Sequence, residues 1–268
     1  MKRVSAIAIG VIAIIFVCSL GGSVFAPAGH AKQFRENPNS PPSSRFLLGT
    51  DELGRDRFAR LLFATRVSLL LAPAAAALST LLAALVGTVA GFLGGLWEKL
   101  SMVAIDVFLS LPWLFLLITV RAMLPLNLSP SLSVVITFAL LGLLGWAATA
   151  RVVCAGVRSI RSSTFMLNAR AFGCSPQRLV AIQLIPNIRP VLQAQFLVSI
   201  PTFILAEANL SMLGLGVPEP LPSLGGLIVE LENFSTLNSQ LWRLAPVAVL
   251  ALCVGALQIV KGINEAQI

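Results

Sequence analysis

Two acidic residues lie inside long apolar runs of this sequence, where a carboxylate is unusual. Asp106 falls in the run that ends near residue 120, and Glu207 falls in the run 191–213, with Asn209 two residues later. A charged side chain within a bilayer is costly and normally faces protein or water. We therefore expect all three residues to line a polar pathway or to pair with a partner subunit, with a solvating cytosolic contact as an alternative for Asp106.

The sequence lacks the residue sets that catalysis would need. His30 is the only histidine and lies in a Pro-rich segment, which disfavours a serine hydrolase, and a single Asp within the spans disfavours an intramembrane aspartyl enzyme. The cysteines form no C-x-x-C pair, so no metal site is expected. There is also no G-x-x-x-x-G-K-[ST] loop to cradle a nucleotide phosphate. We predict a protein without a cofactor that is not an enzyme.

The composition identifies the elements that must hold these residues. Of the 268 residues, 57% are hydrophobic and only 11% are charged, less than half the charged fraction of a typical soluble domain. A bilayer span needs roughly 20 mostly apolar residues. The sequence predicts an all-α polytopic membrane protein with about six transmembrane helices, at residues 4–26, 68–96, 102–120, 131–150, 191–213 and 244–260. The first could instead be a signal peptide cleaved after Val24-Phe25-Ala26, but its length favours a retained anchor.

The distribution of charge predicts the orientation. The connection 151–190 carries six arginines and no acidic residue, which is typical of a cytoplasmic loop. Alternation then places 27–67 and 214–243 outside and both termini inside. The predicted organisation is an anchor (1–26), an extracytoplasmic segment (27–67) and a transmembrane core (68–268). The net charge of +8 needs no nucleic acid partner, because membrane proteins concentrate basic residues in such loops.

Within the loop 151–190, the residue pattern predicts two short helices joined by a tight turn. The first helix covers about 165–172 and ends at Gly173, which supplies a left-handed residue. Ser175-Pro176 starts the second helix as cap and first helical residue, and Pro186-Asn187 ends it. Because a two-turn helix is marginal alone in water, it needs a surface on which to dock. That surface is either the protein's own helix bundle or a partner.

Three sequence blocks resemble the permease subunits of bacterial ABC importers for dipeptides, oligopeptides and nickel. The first block, Asn168-Ala169-Arg170-Ala171-Phe172-Gly173-Cys174-Ser175, resembles the family's coupling loop E-A-A-x-A-x-G-A-S. The second block is Leu48-Gly49-Thr50-Asp51-Glu52-Leu53-Gly54-Arg55-Asp56. The third block is Ile204-Leu205-Ala206-Glu207-Ala208-Asn209-Leu210-Ser211-Met212-Leu213-Gly214. They occur in the family's order, and six spans fit the whole chain.

The resemblance implies a transport function and a set of partners. The helix 165–172 would dock in a groove of an ATPase subunit. Arg170 would meet acidic or carbonyl groups there, Ala169 and Ala171 would permit close approach, and Phe172 would anchor the contact. The turn Gly173-Cys174-Ser175 would complete the docking loop. The assembly in the bacterial inner membrane would comprise a second homologous permease, two ATP-binding subunits and an extracytoplasmic solute-binding protein.

One departure from the family pattern leaves a second hypothesis open. Leu167-Asn168 stands where the family has Glu-Ala, so the acidic residue of the coupling motif is missing. A permease-like subunit with an assembly role and weak or no transport is therefore the alternative. Separately, Gly87, Gly91 and Gly95 recur at four-residue spacing, which is typical of close helix packing in membranes.

Overall fold

The computed structural model describes residues 2–22, 26, 29–125, 128–231 and 241–265, with side chains described from residue 6 to residue 260. Over these ranges the regular secondary structure is helical, apart from two isolated β-bridges (33 with 55, 50 with 56). The helices are α1 (Lys2–Leu20), α2 (Arg57–Leu93), α3 (Gly95–Ser110), α4 (Trp113–Ala122), α5 (Pro130–Leu144), α6 (Trp146–Arg161), α7 (Thr164–Ala171), α8 (Pro176–Arg178), α9 (Ile185–Met212), α10 (Leu224–Val229) and α11 (Ala245–Glu265).

The predicted all-α membrane fold is confirmed. Four helical stretches of the described chain are long and apolar enough to cross a bilayer, namely Arg57–Leu93, Pro130–Arg161, Pro176–Met212 and Leu241–Val260. The pair α3 and α4 makes a fifth if it is counted as one span. The apolar part of α1, Ala6–Leu20, is shorter. Six spans is therefore an approximate number, and most of the signal-peptide site Val24-Phe25-Ala26 lies outside the described residues.

The predicted span 102–120 is not one straight helix. It breaks at Leu111-Pro112, where α3 and α4 meet at 72°. Proline lacks the N–H of a helical hydrogen bond and disfavours a helical conformation in the residue before it, and Leu111 accordingly has an extended ψ of 128°. The residues 97–101, which lie between the second and third predicted spans, form no loop, because they belong to α3.

The second span begins earlier than predicted, at Arg57 rather than at residue 68. Asp56 caps the helix, because its Oδ1 accepts hydrogen bonds from the backbone N–H of Phe58 (2.9 Å) and Ala59 (3.5 Å). The segment 27–67, which the charge pattern predicts to be extracytoplasmic, therefore includes the first three turns of α2. The arginines in these turns lower the local hydropathy, so the hydropathy pattern did not predict a helix there. In the structure, Arg57 and Arg60 are paired with an acidic residue from a distant part of the chain.

The connection 151–190 is also more helical than predicted. Helices α5 and α6 together extend the fourth span to Arg161. At the other end, Pro186-Asn187 does not end a helix, because α9 continues through both residues to Met212. A π-helical turn at Leu179–Leu184 runs directly into α9, so that the N–H of Ile185 bonds to the carbonyl oxygen of Val180 and Pro186 lies in the first turn of α9. The loop proper therefore covers residues 162–184.

Two of the three spaced glycines hold α2 against α6. A Cβ atom on Gly87 would lie 2.7 Å from the carbonyl oxygen of Ala150, and one on Gly91 would lie 2.8 Å from that of Cys154. The predicted packing role is confirmed for these two. Gly95 does not share it, because it begins α3 with φ +58° and a Cβ there would meet no atom within 4 Å.

Candidate docking loop and ion cluster

The predicted two-turn helix is present as α7, Thr164–Ala171, followed by the predicted glycine turn. Gly173 has φ +77°, its N–H bonds to the carbonyl oxygen of Arg170, and the N–H of Cys174 bonds to that of Ala169. These two bonds form a Schellman motif, which satisfies carbonyls left free at the helix end. Ser175 then caps the next helix, because its Oγ accepts from the N–H of Arg178 at 3.4 Å.

One face of this loop packs on the protein's own helices. Met166 is fully buried, and it joins an apolar cluster whose members come from α6, the π turn and α9: Val153, Val157, Leu179, Leu184 and Ile188. Ala169 and Cys174 are half-buried against the same cluster. These contacts fix the position of α7 against the protein's own helix bundle.

The opposite face of the loop is exposed and apolar. Phe172 is 89% exposed, and Phe165 and Leu167 are also exposed. Ala171, Gly173 and Ser175 share this exposure. Exposed aromatic residues in a loop between basic helix ends are characteristic of a contact surface. Of the predicted docking residues, Ala171 and Phe172 therefore lie on the open face, while Ala169 and Cys174 are turned towards the bundle.

Arg170 has a contact that the sequence did not indicate. Its guanidinium carbon lies 5.7 Å from the ring centroid of Phe92, at the end of α2. This is a cation–π geometry, and it orients the side chain along the bundle surface. Within the part of the chain that the structure describes, Arg170 forms no ion pair, so its charge stays available at an exposed position.

The structure separates the three polar residues predicted within the spans. Asp106 is exposed and paired with Arg151. Glu207 is fully buried within the chain and accepts a hydrogen bond from Ser211 Oγ at 2.8 Å. Asn209 is exposed on a different face of α9. A pathway or intersubunit role for these residues stays a prediction, and the observed contacts of Asp106 and Glu207 are with their own chain.

A buried ion cluster lies at the start of α2, and sequence reasoning missed it. Arg60, whose side chain is 2% exposed, pairs with Asp51, with Glu219 at 2.9 Å and with Glu230 at 2.8 Å. Arg55 binds Asp51 at 2.6 Å and also pairs with Glu219. The cluster therefore ties the motif 48–56 to the connection 214–243. The motif residues were noticed for their family pattern, but Glu219, which pairs with both arginines, lies more than 150 residues away.

The contacts within the ion cluster shift the pKa values of two of its acidic residues, Asp51 and Glu230. Burial by itself raises the pKa of Asp51, but hydrogen bonds from the backbone and side chain of Arg55 and the charge of Arg60 outweigh it, so the pKa lies below its ordinary value. For Glu230, burial dominates and raises the pKa, although Arg60 and Arg57 oppose it.

The docking loop and the ion cluster lie at opposite ends of α2. The cluster surrounds Arg60 near the first residue of the helix, whereas Phe92, one residue from its end, contacts Arg170. A helix of 37 residues is roughly 55 Å long, since each residue adds about 1.5 Å. This separation exceeds the thickness of a bilayer. The two sites therefore belong on opposite sides of a membrane.

These features define a multi-pass helical membrane protein with a rigidly held loop at one end. Residues 83–261 match the family model described as "Binding-protein-dependent transport system inner membrane component". The chain belongs to this family, as the sequence blocks indicated.

The chain is similar over most of its length to several peptide permeases. It is 31% identical over 255 residues to the dipeptide transport system permease protein of Bacillus subtilis, covering 94% of this chain and 77% of that protein. It is 29% identical over 243 residues to the oligopeptide permease protein of the same organism, covering 91% and 77%. It is 33% identical over 227 residues to the di/tripeptide permease protein of Pseudomonas aeruginosa, covering 82% and 73%.

Proposed function

We propose that this chain is the permease subunit of an ATP-driven importer of peptides in a bacterial inner membrane. Its partners would be a second homologous permease, two ATP-binding subunits and an extracytoplasmic solute-binding protein. The observation that carries the proposal is the docking loop, in which a two-turn helix is fixed from behind by Met166 and presents Phe172 to solvent. Family membership and peptide-permease relatives support it.

The coupling step follows from how α7 is held. An ATPase groove that received Phe172 would also contact Ala171 and the exposed turn at Gly173 and Ser175. Because α7 packs against α6 and α9, movement of the groove on ATP binding would pull on both helices. The helices would then alternate between inward-open and outward-open arrangements. ATP hydrolysis itself would take place on the partner subunits.

The names of the relatives favour peptides as the solute. All three relatives described above are named for dipeptides, oligopeptides or di/tripeptides. A nickel complex, which the wider resemblance also implied, is the other solute to assay. Uptake of radiolabelled trialanine and of nickel by the complete transporter in liposomes distinguishes the two.

The missing acidic residue of the coupling motif favours the second candidate function, an assembly subunit with weak or no transport. Leu167, which takes the position of the glutamate in the family's Glu-Ala pair, is exposed on α7 and is uncharged. An ATPase groove that relies on a carboxylate at this place would bind α7 weakly. Restoring the acid with Leu167→Glu should then increase ATP-driven uptake, whereas a fully coupled subunit would gain little.

Crosslinking tests the docking directly. In a chain with its native cysteines replaced by serine, Ala171→Cys places a thiol on the exposed face of α7. Ser44→Cys, an exposed position in the segment before α2, is the matched control. A short bismaleimide should join Ala171→Cys, but not Ser44→Cys, to a cysteine in the groove of the copurifying ATPase, with a yield that changes on nucleotide trapping. An assembled complex that gives no adduct at 171, 172 or 175 would support the assembly role instead.

A further inference from the structure

A cavity of about 470 Å³ opens beside the ion cluster. Its wall is formed by the end of α4, the loop that follows α9 and the short helix α10, and its polar lining residues are Arg121, Ser133, Ser211, Glu219 and Glu230. The volume lies within the range of small-molecule sites, roughly 300–1,000 Å³. Its position beside Glu219 and Glu230 places it at the end of the bundle opposite to the docking loop.

Arg121 is the positively charged group of this cavity. Its Nη2 donates to Ser133 Oγ and, at 3.4 Å, to the carbonyl oxygen of Gly216, which holds the guanidinium at the wall. Its Nε is buried and has no hydrogen-bond partner among the described residues. No carboxylate of the described chain lies within ion-pair distance of it. This contrasts with Arg55 and Arg60, each of which binds two or more acids.

The acidic part of the cavity wall is formed by Glu219 and Glu230. Both are already paired with Arg60, but the side chain of Glu219 is 58% exposed, so it keeps free acceptor positions towards solvent. The cavity thus presents a cation without a carboxylate partner and an acidic residue with spare acceptors. A guanidinium in this setting binds a carboxylate through charge-assisted hydrogen bonds. The exposed acid offers acceptors for an ammonium group.

We propose that this cavity is an extracytoplasmic binding site for short peptides with free termini, in which Arg121 binds the C-terminal carboxylate and Glu219 faces the N-terminal ammonium. The inference rests on the proposed peptide import and assigns it a recognition site within the permease itself. The same guanidinium chemistry would also bind the phosphate of a lipid headgroup, so the test separates these two sources.

Photolabelling of the purified full-length chain in nanodiscs tests the proposal without requiring transport. The probe is alanyl-4-benzoylphenylalanine, and the competitors are trialanine, trialanine amide and N-acetyl-trialanine. We expect trialanine to suppress labelling at a concentration at least tenfold lower than either blocked peptide. Arg121→Gln should reduce labelling by about tenfold or more, because it loses the charge while keeping a hydrogen bond to Ser133 within reach. Arg121→Lys should retain a larger part of it.

The matched control is Arg35→Gln, which removes an exposed arginine outside the cavity and should label as the wild type does. Equal labelling of wild type and Arg121→Gln, or equal competition by trialanine and its amide, would overturn the proposal. Labelling that disappears when phosphatidylglycerol replaces phosphatidylcholine would assign the cavity to a lipid headgroup and would also overturn it. Uptake of trialanine by the complete wild-type transporter, measured in parallel, shows whether peptide import stands independently of this site.

Discussion

Replacing Arg60 with methionine should destabilise the protein strongly, because it removes the centre of the ion cluster. The apolar side chain has a similar length, so the change removes the charge with little loss of volume. Arg60 is 2% exposed and contacts Asp51, Glu219 and Glu230. Removing one partner of a buried ion pair typically costs about 3–5 kcal/mol, because the other charge stays buried without compensation.

The structure places the expected cost at the lower end of that range. Asp51 keeps Arg55 at 2.6 Å, and Glu219 is largely exposed, so water compensates for its loss. Glu230 is left with Arg57 alone at 3.7 Å. We therefore expect a loss of about 3 kcal/mol, which corresponds to a fall of roughly 6–12 °C in the unfolding temperature of a chain of this size.

The assay follows thermal unfolding in detergent with a dye that fluoresces on reaction with the buried thiols of Cys154 and Cys253. The control is Arg158→Met, whose 67% exposed side chain pairs with Glu98 at 3.3 Å and should contribute less than about 1 kcal/mol. Adding Glu230→Gln to Arg60→Met should recover at least about 1 kcal/mol, since it removes the stranded charge. Equal effects of Arg60→Met and Arg158→Met would refute the reasoning.

Four further measurements test other parts of the structure. Gly91→Ala should cost about 1–3 kcal/mol because its Cβ would lie 2.8 Å from the carbonyl oxygen of Cys154, whereas Gly10→Ala, with open space around it, should be neutral or slightly stabilising in the same assay. Phe172→Ala should lower ATP-driven uptake by about tenfold or more without changing the unfolding temperature, and unchanged uptake would exclude Phe172 as the docking anchor. The stability that Asp51 contributes is present above its unfolded pKa of about 3.9 and is lost as pH falls through its lower folded pKa, so Asp51→Asn should flatten the acid limb of a pH–stability curve. Ser44→Cys should react with a membrane-impermeant thiol reagent in intact cells, and reaction only after lysis would reverse the predicted orientation.

The sequence was sufficient for the membrane fold and for the docking loop, because both depend on local patterns. Long apolar runs can only be helices in a bilayer, since every backbone polar group must be satisfied within the segment. Gly173 ends α7 and Ser175-Pro176 starts the next helix through contacts within a few residues. The break at Leu111-Pro112 was not predicted, although proline disfavours a helical residue before it, because the apolar run continues through it. The start of α2 at Arg57 was not predicted either, since the charged residues there suggested a loop.

Only the tertiary structure decided which polar residues come together. Arg60 meets Glu219 and Glu230 across more than 150 residues, and no local pattern encodes such a pairing. The same contacts explain why a helix can begin at Arg57, because buried arginines are tolerated where acids from another segment neutralise them. Arg121 is less buried than Arg55 and Arg60, and it has no ion-pair partner in the described chain. Residue type alone does not distinguish an arginine that stabilises the fold from one that is free to bind a ligand, because burial and the position of distant carboxylates set the difference.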